Sequence, residues 1–232
     1  MNEKKGSTYD KTLLPACFDW SLWLRKAIGP CSSNIRNEDN LMKKRCEWAG
    51  SDPLYLEYHD NEWGTPVRDD HKLFEFLLLE SAQAGLSWIT ILKKRQNYAD
   101  AFDHFNPEKI ARYGNQRIQE LLNNNGIIRN KKKIQAAVIN AKAFLTIQDE
   151  WGSFNDYIWQ FIGGTPKINS WKRISKIPAK TAESTSMSRD LKQRGFVFVG
   201  PTICYAFMQA VGMVNDHVVD CFRYAELLHP PG

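Results

Sequence analysis

The chain has 232 residues, 43% of them apolar, enough to bury a real core and to exclude a globally disordered protein. Its 31 Lys and Arg against 26 Asp and Glu leave a net charge of +5, which permits a polyanionic partner without demanding one. The first 45 residues hold nine of the cations and five of the carboxylates, so the rest is nearly neutral and any nucleic-acid surface there must come from local clustering.

The five cysteines, Cys17, Cys31, Cys46, Cys204 and Cys221, are odd in number and widely spaced, and no secretory signal precedes them. A reducing compartment is therefore expected, not a disulfide framework. No apolar run approaches the ~20 residues of a membrane span. The stretch Leu13–Ile28 is interrupted by Asp19, Arg25 and Lys26, and the acids Glu3, Asp10 and Asp19 argue against an organelle transit peptide. Residues 1–43 read as an extension of unassigned role ending in the polar linker Cys31–Asn40, and 44–232 as the main domain.

In chain order the expected elements are mostly helices. Asp69–Ala84 carries Leu73, Phe76, Leu77 and Glu80 at helical spacing behind two candidate N-caps. After a break at Gly85 come Ser87–Asp100, Asn106–Tyr113 with Pro107 at its first turn, and Gln116–Asn124, stopped by an Asn-Gly run. Lys131–Gln148 is long and amphipathic, and Ser153–Ile162, Ser186–Arg194 and Pro201–Val211 follow. Phe196–Val199, between Gly195 and Gly200, is the one strand signal. The aggregate is an all-α domain of many short helices.

Cys46 and His59 are paired near one end of the domain, His217 and Cys221 near the other. On a helix, His217 and Cys221 at i and i+4 would share a face. Two thiols and two imidazoles are an ordinary tetrahedral set for structural zinc, although HxxxC alone is a common pattern. Cys204 reads as a small buried hydrophobe, and His71, His104 and His229 as solvent-facing.

Trp48, Tyr55, Tyr58, Trp63 and Trp88 are dense in aromatic surface, and Glu80 ends the apolar run from Phe76. A carboxylate in such company is costly unless paired, so it is a functional candidate. Flat aromatic faces are what proteins use to stack a base turned out of the duplex. For each aromatic alone, a place in an ordinary core is the plainer expectation.

Arg194–Thr202 lies between two helical stretches. There Gly195, Gly200 and Thr202 would offer backbone N–H groups to a phosphate at a helix N-terminus. The basic run Arg129–Lys133, with Lys132, would either contact a neighbouring phosphate or be a solvated face. Gly85-Leu86 is a small-plus-apolar pair able to fill the gap left by an extruded nucleotide.

Ten blocks in order carry a closer resemblance. They are Arg45–Trp48, Asp52–Tyr55, Tyr58–Gly64, Leu79-Glu80, Gln83–Ile89, Leu92–Arg95, Gly126–Arg129, Gly195–Gly200, Thr202–Tyr205 and Asn215–Val219. Across residues 44–224 the chain closely resembles the type I DNA-3-methyladenine glycosylase family. The resemblance implies a helix–hairpin–helix glycosylase fold with a zinc site, on Cys46, His59, His217 and Cys221, joining the N- and C-terminal parts of the domain. It puts the base pocket at Trp48, Tyr55, Tyr58, Trp63, Glu80 and Trp88, and makes Gly85 and Leu86 the wedge. It implies a monofunctional enzyme that hydrolyses 3-methyladenine from alkylated double-stranded DNA, releasing the free base without lyase activity. A monomer without membrane contact is expected, cytoplasmic and nucleoid-associated if bacterial. N3-methylated adenine is cationic, so its glycosidic bond is already weak, and Glu80 is the expected catalytic group. Asp216 directly precedes a ligand of the expected zinc and is expected either to be structural or to support that ligand. The rival readings are a non-catalytic reader of damaged DNA on the same scaffold and a zinc-stabilised protein-interaction domain.

Overall fold

The computed structural model describes residues 43–228. The expectations for residues 1–42, Cys17 and Cys31 among them, and for His229 lie outside the described residues.

The first helix, α1 (Pro53–Asn61), starts where Asp52 accepts the Leu54 N–H and Pro53 takes the first helical position, where a missing N–H costs nothing. Helix α2 (Asp70–Gln83) is capped by Asp69, which accepts the Lys72 N–H at 2.8 Å. The expected helix from Ser87 to Asp100 is two, α3 (Trp88–Leu92) and α4 (Arg95–Ala101). They separate at Lys94, whose ammonium donates to the carbonyls of Asn125 and Gly126. Short α5 (Pro107–Ile110) and α6 (Asn115–Asn123) lead to α7 (Lys131–Trp151) and α8 (Phe154–Trp159). Helix α9 (Ala182–Gln193) begins four residues earlier than the periodicity predicts, because Thr181 and Ser184 form a reciprocal capping box. Helices α10 (Pro201–Ala210) and α11 (Phe222–Glu226) complete the set.

The all-α expectation holds as a mostly helical fold. Its described strands, β1 (Lys167–Ile168) and β2 (Val214–Asn215), are two residues each and pair in parallel. Phe196–Val199 is not a strand. Side chains take much of its backbone instead: Asn140 donates to the Val197 carbonyl at 3.0 Å and accepts its N–H at 2.8 Å, and the Ser188 hydroxyl donates to the Val199 carbonyl. Nor are His217 and Cys221 on a helix. The chain leaves β2 extended, the Asn215 side chain accepts the His217 N–H, and a turn closed by Cys221 N–H to the Val218 carbonyl brings the two side chains together.

Helix α7 is the spine, packing on α2, α5, α6 and α8. Phe144 stacks on Phe154 at 4.3 Å between ring centroids and meets Phe74 edge-on at 4.9 Å. The Asp70 carboxylate fixes the α7–α8 turn by accepting from Gln148, Phe154 N and Asn155 N. Early and late parts of the chain then join directly. Gly64 and Val67 donate to the carbonyls of Gln209 and Val211, and Gly212 lies so close to Thr65 that an added Cβ would sit 2.3 Å from its carbonyl carbon. Only glycine fits there, and its φ of +67° asks for glycine as well.

Candidate active site

Helix α2 carries Glu80 to the lining of a cavity of about 360 Å³, a size usual for small-molecule sites. All six residues expected in the base pocket line it: Trp48, Tyr55, Tyr58, Trp63, Glu80 and Trp88. The aromatics form a connected box. Trp48 lies 5.1 Å from Tyr55 and 4.9 Å from Trp63 between ring centroids, and Tyr58 lies 5.3 Å from Trp88. The plainer expectation is therefore partly met, since Tyr58, Trp63 and Trp88 are also buried core residues.

Glu80 is 4% exposed and makes no hydrogen bond or ion pair with the described residues. Burial alone pushes its carboxyl up to about 8. Its charge also helps to raise Tyr55 and Tyr58, after their own burial, which places the carboxyl beside both phenols. The Trp88 indole N–H is buried without a partner among the described residues. An aromatic slot with an uncompensated carboxylate favours a flat, cationic, hydrogen-bond-donating ligand.

The rest of the lining includes residues to which the sequence reading gave no role. Ile174, Ile177 and Pro178 enter from the segment before α9, and Tyr205 and Gln209 from α10. The i, i+4 spacing of Tyr205 and Gln209 was the available signal, masked by the apolar character of that helix. Both converge on Asp216, which is fully buried and accepts four hydrogen bonds, from Asn169, Trp171, Tyr205 and Gln209, at 2.6 to 2.7 Å. Its lone pairs are spent on protein donors.

Beside the slot, Cys46, His59, His217 and Cys221 are all buried, with one ligand atom from each within 4.8 Å of the others. Cys221 Sγ lies 3.4 Å from His59 Nε2 and 3.4 Å from His217 Nδ1, and Cys46 Sγ lies 3.5 Å from His217 Nδ1. Sulfur at about 2.3 Å and nitrogen at about 2.05 Å from one tetrahedral ion stand roughly 3.6 Å apart, so the quartet has the shape of a metal site. The outer nitrogens are also fixed: His59 Nδ1 meets Asp60, which Arg45 holds, and His217 Nε2 meets the Trp63 carbonyl at 3.0 Å. Hydrogen bonds from Cys46 and both imidazoles hold the Cys221 thiol well below its usual range, toward the thiolate a metal takes, while sharing that proton raises Cys46.

Of the remaining candidates only Thr202 is among the residues lining the cavity. Gly85, at φ +79°, and Leu86, 39% exposed, form the tip between α2 and α3. Gly195 ends α9 at φ +90°, Gly200 caps α10 in extended conformation, and Thr202 is exposed yet reaches the cavity lining. Lys132 is exposed, but its neighbour Lys133 is occupied, donating to the carbonyls of Ala82 and Ala84 at the end of α2. Cys204 is buried in α10, and His71 and His104 are exposed, as the sequence implied.

Residues 48–224 match a family model described as methyladenine glycosylase. A relative from Escherichia coli (strain K12), DNA-3-methyladenine glycosylase 1, is 50% identical over 78% of this chain and 97% of its own length. A crystal structure of 3-methyladenine DNA glycosylase I superposes with a TM-score of 0.76 at 51% identity, covering 77% of this chain and 98% of that one. Another, a tyrosine-to-phenylalanine variant of such an enzyme in complex with 3-methyladenine, gives 0.75 at 40% identity over 77% and 96%. On the extent of these matches and on the slot built around Glu80, the chain belongs to the methyladenine glycosylase family.

Proposed function

We propose that the protein extrudes N3-methylated adenine from alkylated double-stranded DNA into the Glu80 cavity and hydrolyses its N-glycosidic bond. One observation carries this: a buried carboxylate without a protein partner among the described residues, set in an aromatic box open to solvent. A cationic purine supplies the missing countercharge. Its departure from the sugar needs no protonation, because the electron pair of the breaking bond neutralises the ring's own positive charge. Glu80 stabilises the cationic base and the developing charge at the sugar, Trp48 and Trp88 stack the ring, and water adds to the sugar carbon and loses a proton. Among the described residues no lysine lines the cavity, which favours a monofunctional enzyme over one that forms an imine with the sugar. A neutral adenine gains less from the carboxylate and leaves more slowly.

The unit from Lys44 onward acts as the glycosylase, and residues 1–43 are an extension of unassigned role. Helices α9 and α10, which pack together, supply the helix–hairpin–helix element, with Gly195, Gly200 and Thr202 placing backbone N–H groups at a phosphate. Lys132 flanks the backbone, and Gly85 and Leu86 occupy the vacated stack. The ligand quartet suits zinc, which would be structural: with no slot for substrate beside four protein ligands, it clips the two ends of the domain together. No described helix is long and apolar enough to cross a membrane. The protein is read as a monomer, cytoplasmic and nucleoid-associated if bacterial. Incubation with duplex DNA carrying N3-methyladenine, followed by chromatography, tests the proposal. Released 3-methyladenine with an intact abasic strand supports it. Tight binding without release would make the protein a reader of damage.

A further inference from the structure

We propose that the segment Trp171–Lys180 is a second DNA-backbone contact, gripping phosphates beside the cavity that its own apolar residues line. The inference rests on the glycosylase reading and extends it to a surface that no motif marks. Between Asp156 and Glu183 the chain has no carboxylate but five cations: Lys167, Lys172, Arg173, Lys176 and Lys180. Lys167 is spent on Glu183 at 2.6 Å. The other four are exposed, and among the described residues none of them enters an ion pair. In a domain whose bulk charge is nearly zero, four uncompensated cations within nine residues are a local concentration of positive potential.

The segment is built to hold these charges in place. Its apolar side chains, Ile174, Ile177 and Pro178, are half-buried and line the same cavity as Glu80. Its entry is tied down by Trp171, whose indole donates to Asp216 at 2.7 Å and whose carbonyl accepts the Val219 N–H. Its exit is the Thr181–Ser184 capping box. One face therefore walls the slot while the other turns cations to solvent beside its opening. Asp216 links the two, since it also holds Tyr205 and Gln209 from the cavity wall. A phosphate flanking the extruded nucleotide has the charge and the position this face matches.

The test replaces Lys172, Arg173, Lys176 and Lys180 together by Gln. Affinity for a duplex carrying a stable abasic-site analogue is measured against salt. Each lost phosphate contact lowers the slope of log K against log salt by about 0.9. We expect a slope reduced by about 1.8 or more and affinity weakened about tenfold or more near 0.15 M salt, with binding of free 3-methyladenine, which has no phosphate, unchanged by tryptophan fluorescence. A slope equal to that of the unsubstituted protein overturns the proposal. Loss of free-base binding in the variant also overturns it, because the segment would then be only a wall. Failure of the glycosylase reading is separable: the unsubstituted protein would then release no base.

Discussion

His59 Nε2 and Cys221 Sγ, 162 positions apart in sequence, lie 3.4 Å from each other, the separation expected of two ligands on one tetrahedral ion. The purified protein should therefore carry one zinc per chain by elemental analysis. Cys221→Ser or prolonged chelation should lower the melting temperature by roughly 10 °C or more, since the ion's binding free energy is available only to the folded chain. An unchanged melting temperature after complete metal removal would show that the quartet is held by packing alone.

Glu80 sets a pH dependence of stability. Its carboxyl stands near 8 in the folded protein, against 4.5 for the free group. Below 4.5 it is protonated in both states and costs nothing. As pH rises from 4.5 to 8, the unfolded chain loses a proton that the folded chain keeps, so stability falls, and above 8 the full cost remains. Each tenfold difference in proton affinity between the folded and unfolded chains is worth about 1.4 kcal/mol, and relaxation around the charge reduces the total. Glu80→Gln should thus melt like the parent at about pH 4 and higher by roughly 5 °C at about pH 8.5. Equal melting curves at both pH values would place the carboxyl in solvent.

The same group governs turnover. Excision at saturating enzyme should rise with pH and level off above a value no higher than about 8, because only the ionised carboxylate opposes the cationic base. Glu80→Gln should flatten that profile and slow excision by at least about tenfold while still folding. A variant that kept the parent's rate and profile would move catalysis elsewhere.

Asp216 sits a short way after the α9–α10 turn, yet its four donors leave no lone pair for water. Asp216→Asn turns an NH2 toward groups that are themselves donors. It should cost about 2–4 kcal/mol of stability, and excision at saturation should fall much less than in Glu80→Gln. Abolished turnover with native melting and full zinc would make Asp216 the water-activating base.

Gly212→Ala should be among the most damaging single changes away from the cavity. Its Cβ would overlap the Thr65–Pro66 backbone at 2.3 to 2.5 Å, in a conformation that L side chains rarely adopt. A loss of about 3 kcal/mol or more is expected in chemical denaturation.

What the sequence disclosed and what it hid divide along physical lines. Side chains whose chemistry is conspicuous, a carboxylate in an apolar run or a thiol beside an imidazole, announced themselves, and the six slot residues and four ligands do converge. Helices came through where caps or periodicity were strong, as in α2 and α7. Phe196–Val199 misled because its β-branched and aromatic composition says nothing of Asn140, fifty-seven positions away, satisfying Val197 in place of a neighbouring strand. Likewise His217 and Cys221 meet through a turn, since Asn215 and Asp216 are engaged by partners that local spacing cannot show. The wall at Ile174 and Ile177 was invisible for the same reason: only the fold brings it to the same cavity as Trp48.

The direct join of Gly64 and Val67 to Gln209 and Val211 has a consequence for biosynthesis. The aromatics between Trp48 and Trp88 leave the ribosome long before Tyr205 and Gln209, so the growing chain carries half a slot and half a ligand set through most of translation. A polypeptide released before His217 would own Glu80 and every stacking ring, but neither the opposite wall's anchor nor a complete quartet. Competence for repair thus arrives in a single late step, when the last stretch of chain closes on the first.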